Sequence, residues 1–174
     1  MKRKHNTFSL CYGALLTALV CIMTMVIQIP IPLGYAHLGD AAILLGAAYF
    51  GRREAVWASG LGSSLADFLT GFTQWVIPTF LIKVIIVLIA GHLMFDKNGS
   101  FRLFHWRTFL AAILSMAWMV IGYTAVGSIL YGSFAAGLAS SPGLITEGVV
   151  NIAVYFAATA VLEKAHIRQL IQAG

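Results

Sequence analysis

Long apolar runs separated by short polar or basic segments set the layout of this chain. They predict helices over about 8–28, 40–50, 54–69, 75–95, 107–130 and 143–162. Read as crossings of a hydrocarbon core roughly 30 Å thick, which takes about 20 apolar residues per helix, they give an all-α bundle of six transmembrane helices, with the second run short for a span. The first helix stops at Pro30 and Pro32, because proline lacks a backbone donor and restricts the residue before it. The next segment, IPIPLGYAHLG, is then an outer loop. It is apolar for a loop, which predicts either folding back over the bundle or an interfacial turn held by Tyr35. The third run carries Gly60, Gly62, Ser63, Ser64 and Ala66, small residues that let helices approach closely, and is expected to be central. The Gly- and Pro-containing stretch GSFAAGLASSPG reads as a second outer loop before the last helix.

Composition strengthens this picture. The chain is 60% hydrophobic and 10% charged, with a mean hydropathy of +0.88, against roughly 25% charged residues in a soluble domain. Its 174 residues form a single six-helix membrane domain (1–174) and leave no room for a soluble catalytic or nucleotide-binding domain. The net charge of +5 is distributed as membrane topology rather than as a nucleic-acid surface. Lys2-Arg3-Lys4, Arg52-Arg53, Lys97-Arg102-Arg107 and Lys164-Arg168 all fall in connections on one side of a six-span chain, and Lys83 falls within a run. By the excess of Lys and Arg in cytoplasmic loops, both termini are placed in the cytoplasm. Cys11 and Cys21, ten residues apart on one helix, are about 15 Å apart along its axis and cannot pair with each other.

Polar residues inside the apolar runs locate the chemistry, because a charge at bilayer depth costs about 2.5 to 3.5 kcal/mol even on insertion scales and usually faces a partner or a cavity. Asp40 reads as the N-cap of the second helix. Asp67, Lys83 and Glu147 all fall in the outer half of the bundle. Trp75, Thr79 and Lys83 recur every four residues on one face of helix 4, and Glu147, Asn151 and Tyr155 do so on helix 6. Two faces pairing aromatic rings with hydrogen-bonding groups predict an outward-opening pocket for a small, flat, polar molecule. The alternative for Asp67 and Lys83 is a structural ion pair between helices 3 and 4. His37, in the outer loop, is placed to cap the pocket. On helix 1, Gly13, Ala14 and Ala18 form a small-residue face suited to helix packing.

The missing motifs matter as well. No His, Cys or carboxylate cluster stands at ligand spacing along the sequence, so a metal site is not expected. An intramembrane enzyme would draw on Ser63, Ser64 and His92, but there is no GxSxG elbow, HExxH pair or run of aspartates, and no catalytic residue is assigned. A Walker A loop is also missing. A self-sufficient secondary transporter of a small heteroaromatic solute, with Asp67 or Glu147 carrying a proton, is the alternative function; the want of an inverted repeat weighs against it.

The stretches LGDAAILLGAAYFG, SSLADFLTG and WVIPTFLIK carry a resemblance. With six spans, a basic N-terminus and the loop after helix 1, the chain resembles the substrate-binding S components of energy-coupling factor (ECF) vitamin transporters. It is similar to the riboflavin-related branch that includes proteins assigned to hydroxymethylpyrimidine or pyridoxine-type substrates. The resemblance implies a multi-pass subunit of a bacterial plasma membrane that captures a B-type vitamin or precursor outside and releases it inside. Its implied partners are a transmembrane coupling protein (T component) and two ATP-binding cassette ATPases. ATP and Mg would belong to those ATPases, with no cofactor in this chain. The resemblance also implies that Pro32 to Leu38 gates the site and that Ala14 and Ala18 dock on the coupling protein.

Overall fold

The computed structural model describes residues 7–50, 52–95 and 101–165. The basic residues Lys2, Arg3, Lys4, Lys97 and Arg168 lie outside these ranges. Among the described residues, six α-helices run in the order α1 (Thr7–Val26), α2 (Gly39–Tyr49), α3 (Arg52–Leu69), α4 (Val76–Leu93), α5 (Trp106–Leu130) and α6 (Phe134–Lys164). A two-stranded hairpin, β1 (Ile29–Ile31) and β2 (Gly34–Ala36), joins α1 to α2, and a single 3₁₀ turn (Thr73–Trp75) leads into α4. Among the described residues, four segments are long and apolar enough to cross a membrane: Ser9–Val26, Thr73–Leu93, Trp106–Leu130 and Phe134–Lys164. At 11 residues α2 is too short, and α3 carries Arg52, Arg53, Glu54 and Asp67 within its 18 residues.

α2 is the buried centre. It packs on α1, α3, α4 and α6, and nine of its 11 residues are buried, from Gly39 to Leu44 and from Gly46 to Ala48. An apolar helix of small side chains can be surrounded on every side, since alanines leave room for neighbouring backbones. α3, the helix expected to be central, packs instead between α1 and α4. Gly62 makes the α1 contact possible: a Cβ there would sit 2.7 Å from the Thr17 carbonyl oxygen and 3.0 Å from Val20 Cβ. Leu15, Leu19, Ile22 and Val26 on the opposite side of α1 remain exposed, as expected for a surface solvated by lipid.

The sixth helix starts earlier than the sequence implies. Ser133 caps it, its hydroxyl accepting the Ala136 amide at 3.3 Å, after a turn in which Gly132 takes φ 62°. The stretch expected to be an outer loop is therefore helical through Pro142. Packing overrides the local signal: Gly137 lies so close to α5 that a Cβ would come within 2.5 Å of the Thr124 carbonyl oxygen. The apolar loop after α1 does fold back over the bundle, as the hairpin. Ile31 packs where Gly143 lacks a side chain, and Leu33 does the same at Gly127.

Consecutive helices alternate in direction, so the bundle has two chemically distinct ends. One gathers Arg52, Arg53, His92, Arg107 and Lys164 at helix termini. There Arg107 donates to the Leu93 and Phe95 carbonyls at 3.1 and 2.9 Å, closing the end of α4, and Tyr49 donates to Glu163 at 2.8 Å. The hairpin covers the other end.

Gly62→Val should lower the melting temperature of the purified chain, since overpacking a tight contact costs about 1 to 3 kcal/mol. Gly13→Val is the control, because a Cβ at Gly13 meets nothing within 4 Å. Equal stability of the two variants would show that the α1–α3 contact is not tight.

Candidate functional site

The deepest polar interaction lies just beneath the hairpin. Lys83 on α4 donates to Asp40 Oδ1 on α2 at 2.6 Å, and both side chains are fully buried. The ammonium also lies 5.1 Å from the centre of the Tyr123 ring on α5, over its negative face. Of the two roles expected for these charges, neither holds as drawn. Asp40 does not cap α2, whose N-cap is Leu38 with no side-chain bond, and Lys83 pairs with Asp40 rather than Asp67.

The capping of α2 comes from elsewhere in the chain. Asn151 on α6 accepts the Ala41 amide at 2.7 Å and donates to the carbonyls of His37 at 2.7 Å and Glu147 at 2.9 Å. His37 Nδ1 accepts the Gly39 amide at 3.1 Å. These bonds satisfy first-turn donors that a helix otherwise leaves orphaned. Burial, and then the Lys83 cation, lower the His37 pKa to about 3, so the ring is neutral and its Nδ1 is an acceptor.

Above the ion pair is a cavity of about 50 Å³, room for a few water molecules, lined by residues of the hairpin and of α3 to α6. Tyr35 of β2 forms part of its roof, donating to Asp67 Oδ1 at 2.8 Å and meeting Phe72 edge-on at 5.0 Å. Burial, with the Asp67 carboxylate, pushes the Tyr35 hydroxyl above its ordinary pKa and keeps it a donor. Trp75 and Tyr123 form a wall with ring centres 5.4 Å apart. Tyr123 donates to Thr79 at 3.1 Å, and the Thr79 hydroxyl in turn is a donor toward the Asp67 carboxylate. Three buried polar atoms here, Asp67 Oδ2, Trp75 Nε1 and Ser140 Oγ, have no hydrogen-bond partner among the described residues. Leaving such groups unpaired costs about 1 to 3 kcal/mol each. They are groups suited to recognising a ligand.

Of the residues singled out from sequence, His37, Asp67, Trp75, Thr79 and Glu147 line the cavity. Lys83, Asn151 and Tyr155 do not; they continue the same two helix faces one turn or more deeper. Tyr155 is fully buried, 3.7 Å from Met94 Sδ. Phe72, Tyr123 and Ser140 line it unforeseen, and Tyr35 does so from within the segment expected to gate it. Tyr123 sits one turn before Gly127 on a helix without internal charges, and Ser140 was hidden in an expected loop. Folding also gathers His37, Asp40 and Glu147, whose ligand atoms lie within 4.8 Å of one another, a cluster that spacing along the chain could not reveal. A dication there would have to displace the Lys83 ammonium from Asp40 and the Gly39 amide from His37. On α1, Ala14 and Ala18 are exposed one turn apart, and the position beside Gly13 is open.

A model of the ECF-type riboflavin transporter S component family matches residues 4–165. The chain belongs to this family. It is thus a multi-pass membrane protein and the substrate-binding subunit of a vitamin transporter, not an enzyme, and S components of this type work with a T component and ATPases. The S component is 31% identical over 130 residues to the thiamine precursor transporter HmpT of Lactococcus lactis, covering 73% of this chain and 71% of the relative. It is 37% identical over 115 residues to an uncharacterized protein of Pyrococcus woesei, covering 65% of this chain and 74% of that protein.

In this S component, Lys83→Met alone should strongly destabilise the fold, by about 3 to 5 kcal/mol, because it strands a buried carboxylate. The double variant Lys83→Met/Asp40→Asn should recover much of that loss. Thermal melts of the three proteins measure it, and a double variant no more stable than the single one would show that the pair is not the dominant partner of either residue.

Proposed function

We propose that this S component captures a small B-type vitamin or vitamin precursor, of hydroxymethylpyrimidine or pyridoxine type, in the cavity beneath the hairpin. The single observation behind this reading is the set of buried, unpartnered groups, Asp67 Oδ2, Trp75 Nε1 and Ser140 Oγ, facing one cavity walled by aromatic rings. Such a cavity suits a flat heteroaromatic ring, which stacks on Trp75 or Tyr123 and exchanges hydrogen bonds at its edge. The likeness to a thiamine precursor transporter supports the size class. Asp67, Glu147, Trp75, Thr79 and His37 are the proposed substrate contacts. Lys83, Asn151 and Tyr155 support them from below.

The proposed topology has six crossings, the short α2 shielded by its neighbours, and both termini in the cytoplasm. The basic end of the bundle supports this orientation and would turn the hairpin end outward. The hairpin, with Pro32 to Leu38, then acts as the gate: the cavity is small when Tyr35 is latched to Asp67, so entry of a ring requires the hairpin to lift. Inward release would use a coupling protein docked on the Gly13, Ala14 and Ala18 face of α1, with two ATP-binding cassette ATPases supplying ATP hydrolysis with Mg.

Two experiments test this. In a thermal-shift and calorimetric panel of B-type vitamins and precursors, one heteroaromatic compound should stabilise the purified chain, and Glu147→Gln should weaken its binding at least tenfold; unchanged affinity removes Glu147 from the contacts. Leucine at both Ala14 and Ala18 should leave binding intact yet abolish copurification with the coupling protein and ATP-driven uptake. Uptake in vesicles driven by an ion gradient alone, without ATPases, would favour the secondary-transporter mechanism.

A further inference from the structure

The charges around the cavity do not balance. Among the described residues Lys83 is the one cation nearby, and its ammonium is engaged by Asp40 at 2.6 Å, behind the lining. No Lys or Arg is among the described residues that line the cavity. Two buried carboxylates do line it, Asp67 and Glu147, exposed by only 7% and 5%. Asp67 keeps one oxygen bonded to Tyr35 and the other, Oδ2, without a partner. Glu147 Oε1 lies 3.3 Å from His37 Nδ1, but that nitrogen already accepts the Gly39 amide at 3.1 Å. At Nδ1 the neutral imidazole offers the Glu147 carboxyl neither charge nor proton, and the His37 backbone amide is the donor that reaches it.

A buried carboxylate demands a counter-charge or several donors. Here the chain supplies neither in full, and both carboxylates border the same small space. The faces of Trp75 and Tyr123 border it too, and aromatic faces attract cations. We propose that Asp67 and Glu147 select substrates bearing a basic nitrogen, an amine or amino-substituted heteroaromatic ring that donates hydrogen bonds and accepts a proton. The same two carboxylates reject phosphorylated forms. This inference rests on the vitamin-binding reading of the same cavity and narrows its substrate class. It also places the importer upstream of any phosphorylation of its substrate, since a phosphate monoester would meet two carboxylates and no cation.

The test is calorimetric titration of the purified full-length chain at pH 7 with matched series. Pyridoxamine is compared with pyridoxine, 4-amino-5-hydroxymethyl-2-methylpyrimidine with its 4-oxo counterpart, and each with its phosphate ester. The nitrogen-bearing member of the series that binds should bind at least tenfold tighter than its oxygen counterpart, and the ester should not bind. Asp67→Asn, Glu147→Gln and the double variant should bring the ratio toward unity; the singles provide the readout if the double does not fold. Equal affinity for the two members, or a preference for the oxygen member or the ester, overturns the charge inference and leaves the vitamin reading standing. A preference that survives in folded variants overturns the assignment to these two carboxylates. Binding of no compound in either series by the folded chain takes down both this inference and the reading beneath it.

Discussion

The fully buried bond between Lys83 and Asp40 is the constraint on which the site is built. An ammonium and a carboxylate in an apolar bundle are tolerable only together, so α4 and α2 have one admissible register with respect to each other. That register puts the start of α2 beneath the hairpin and holds Thr79 and Trp75, one and two turns earlier on the Lys83 face, at the cavity wall. The pair also uses up the one buried cation among the described residues. The other buried acids consequently face the cavity without one.

Around this bond, the chain meets its backbone needs with side chains from distant segments. Asn151, 110 residues from Ala41, ties the first turn of α2 to α6 and to the His37 carbonyl. The hairpin is thereby anchored at its α2 end by buried bonds. Its other tie is the exchange between Tyr35 and Asp67, whose carboxylate also borders the cavity. A rigid root and a latch on a carboxylate of the cavity wall suit a lid whose position depends on what occupies the space beneath it.

The sequence announced its helices because apolar runs of membrane length leave little alternative, and it announced the buried charges because each interrupts such a run. It did not announce which charges meet. Asp67 is nearer to Lys83 in sequence, yet Asp40, 43 residues away, is the partner, because α2 inserts between neighbours and brings its own acid to α4. Helical periodicity put Glu147, Asn151 and Tyr155 on one face correctly but said nothing of depth, so cavity contact, cap and core residue looked alike. Pro142 hid the first turns of α6: proline and glycine read as a break wherever local preference decides, and here close packing of Gly137 on α5 decides instead. Ser140 was lost with them.

The lengths of the helices have a consequence for the surrounding lipid. At 1.5 Å per residue, α3 and α4 span about 27 Å each, whereas α5 is about 37 Å long and the 31 residues of α6 about 46 Å. A hydrocarbon layer of about 30 Å matches one flank of the bundle and is overrun by the other. Hydrophobic mismatch of this kind is relieved by tilt or by local thickening of the bilayer, at fractions of a kcal/mol per Å. A bundle with one short and one long flank has no upright orientation that suits both. Its resting inclination is therefore set jointly by its own shape and by membrane thickness.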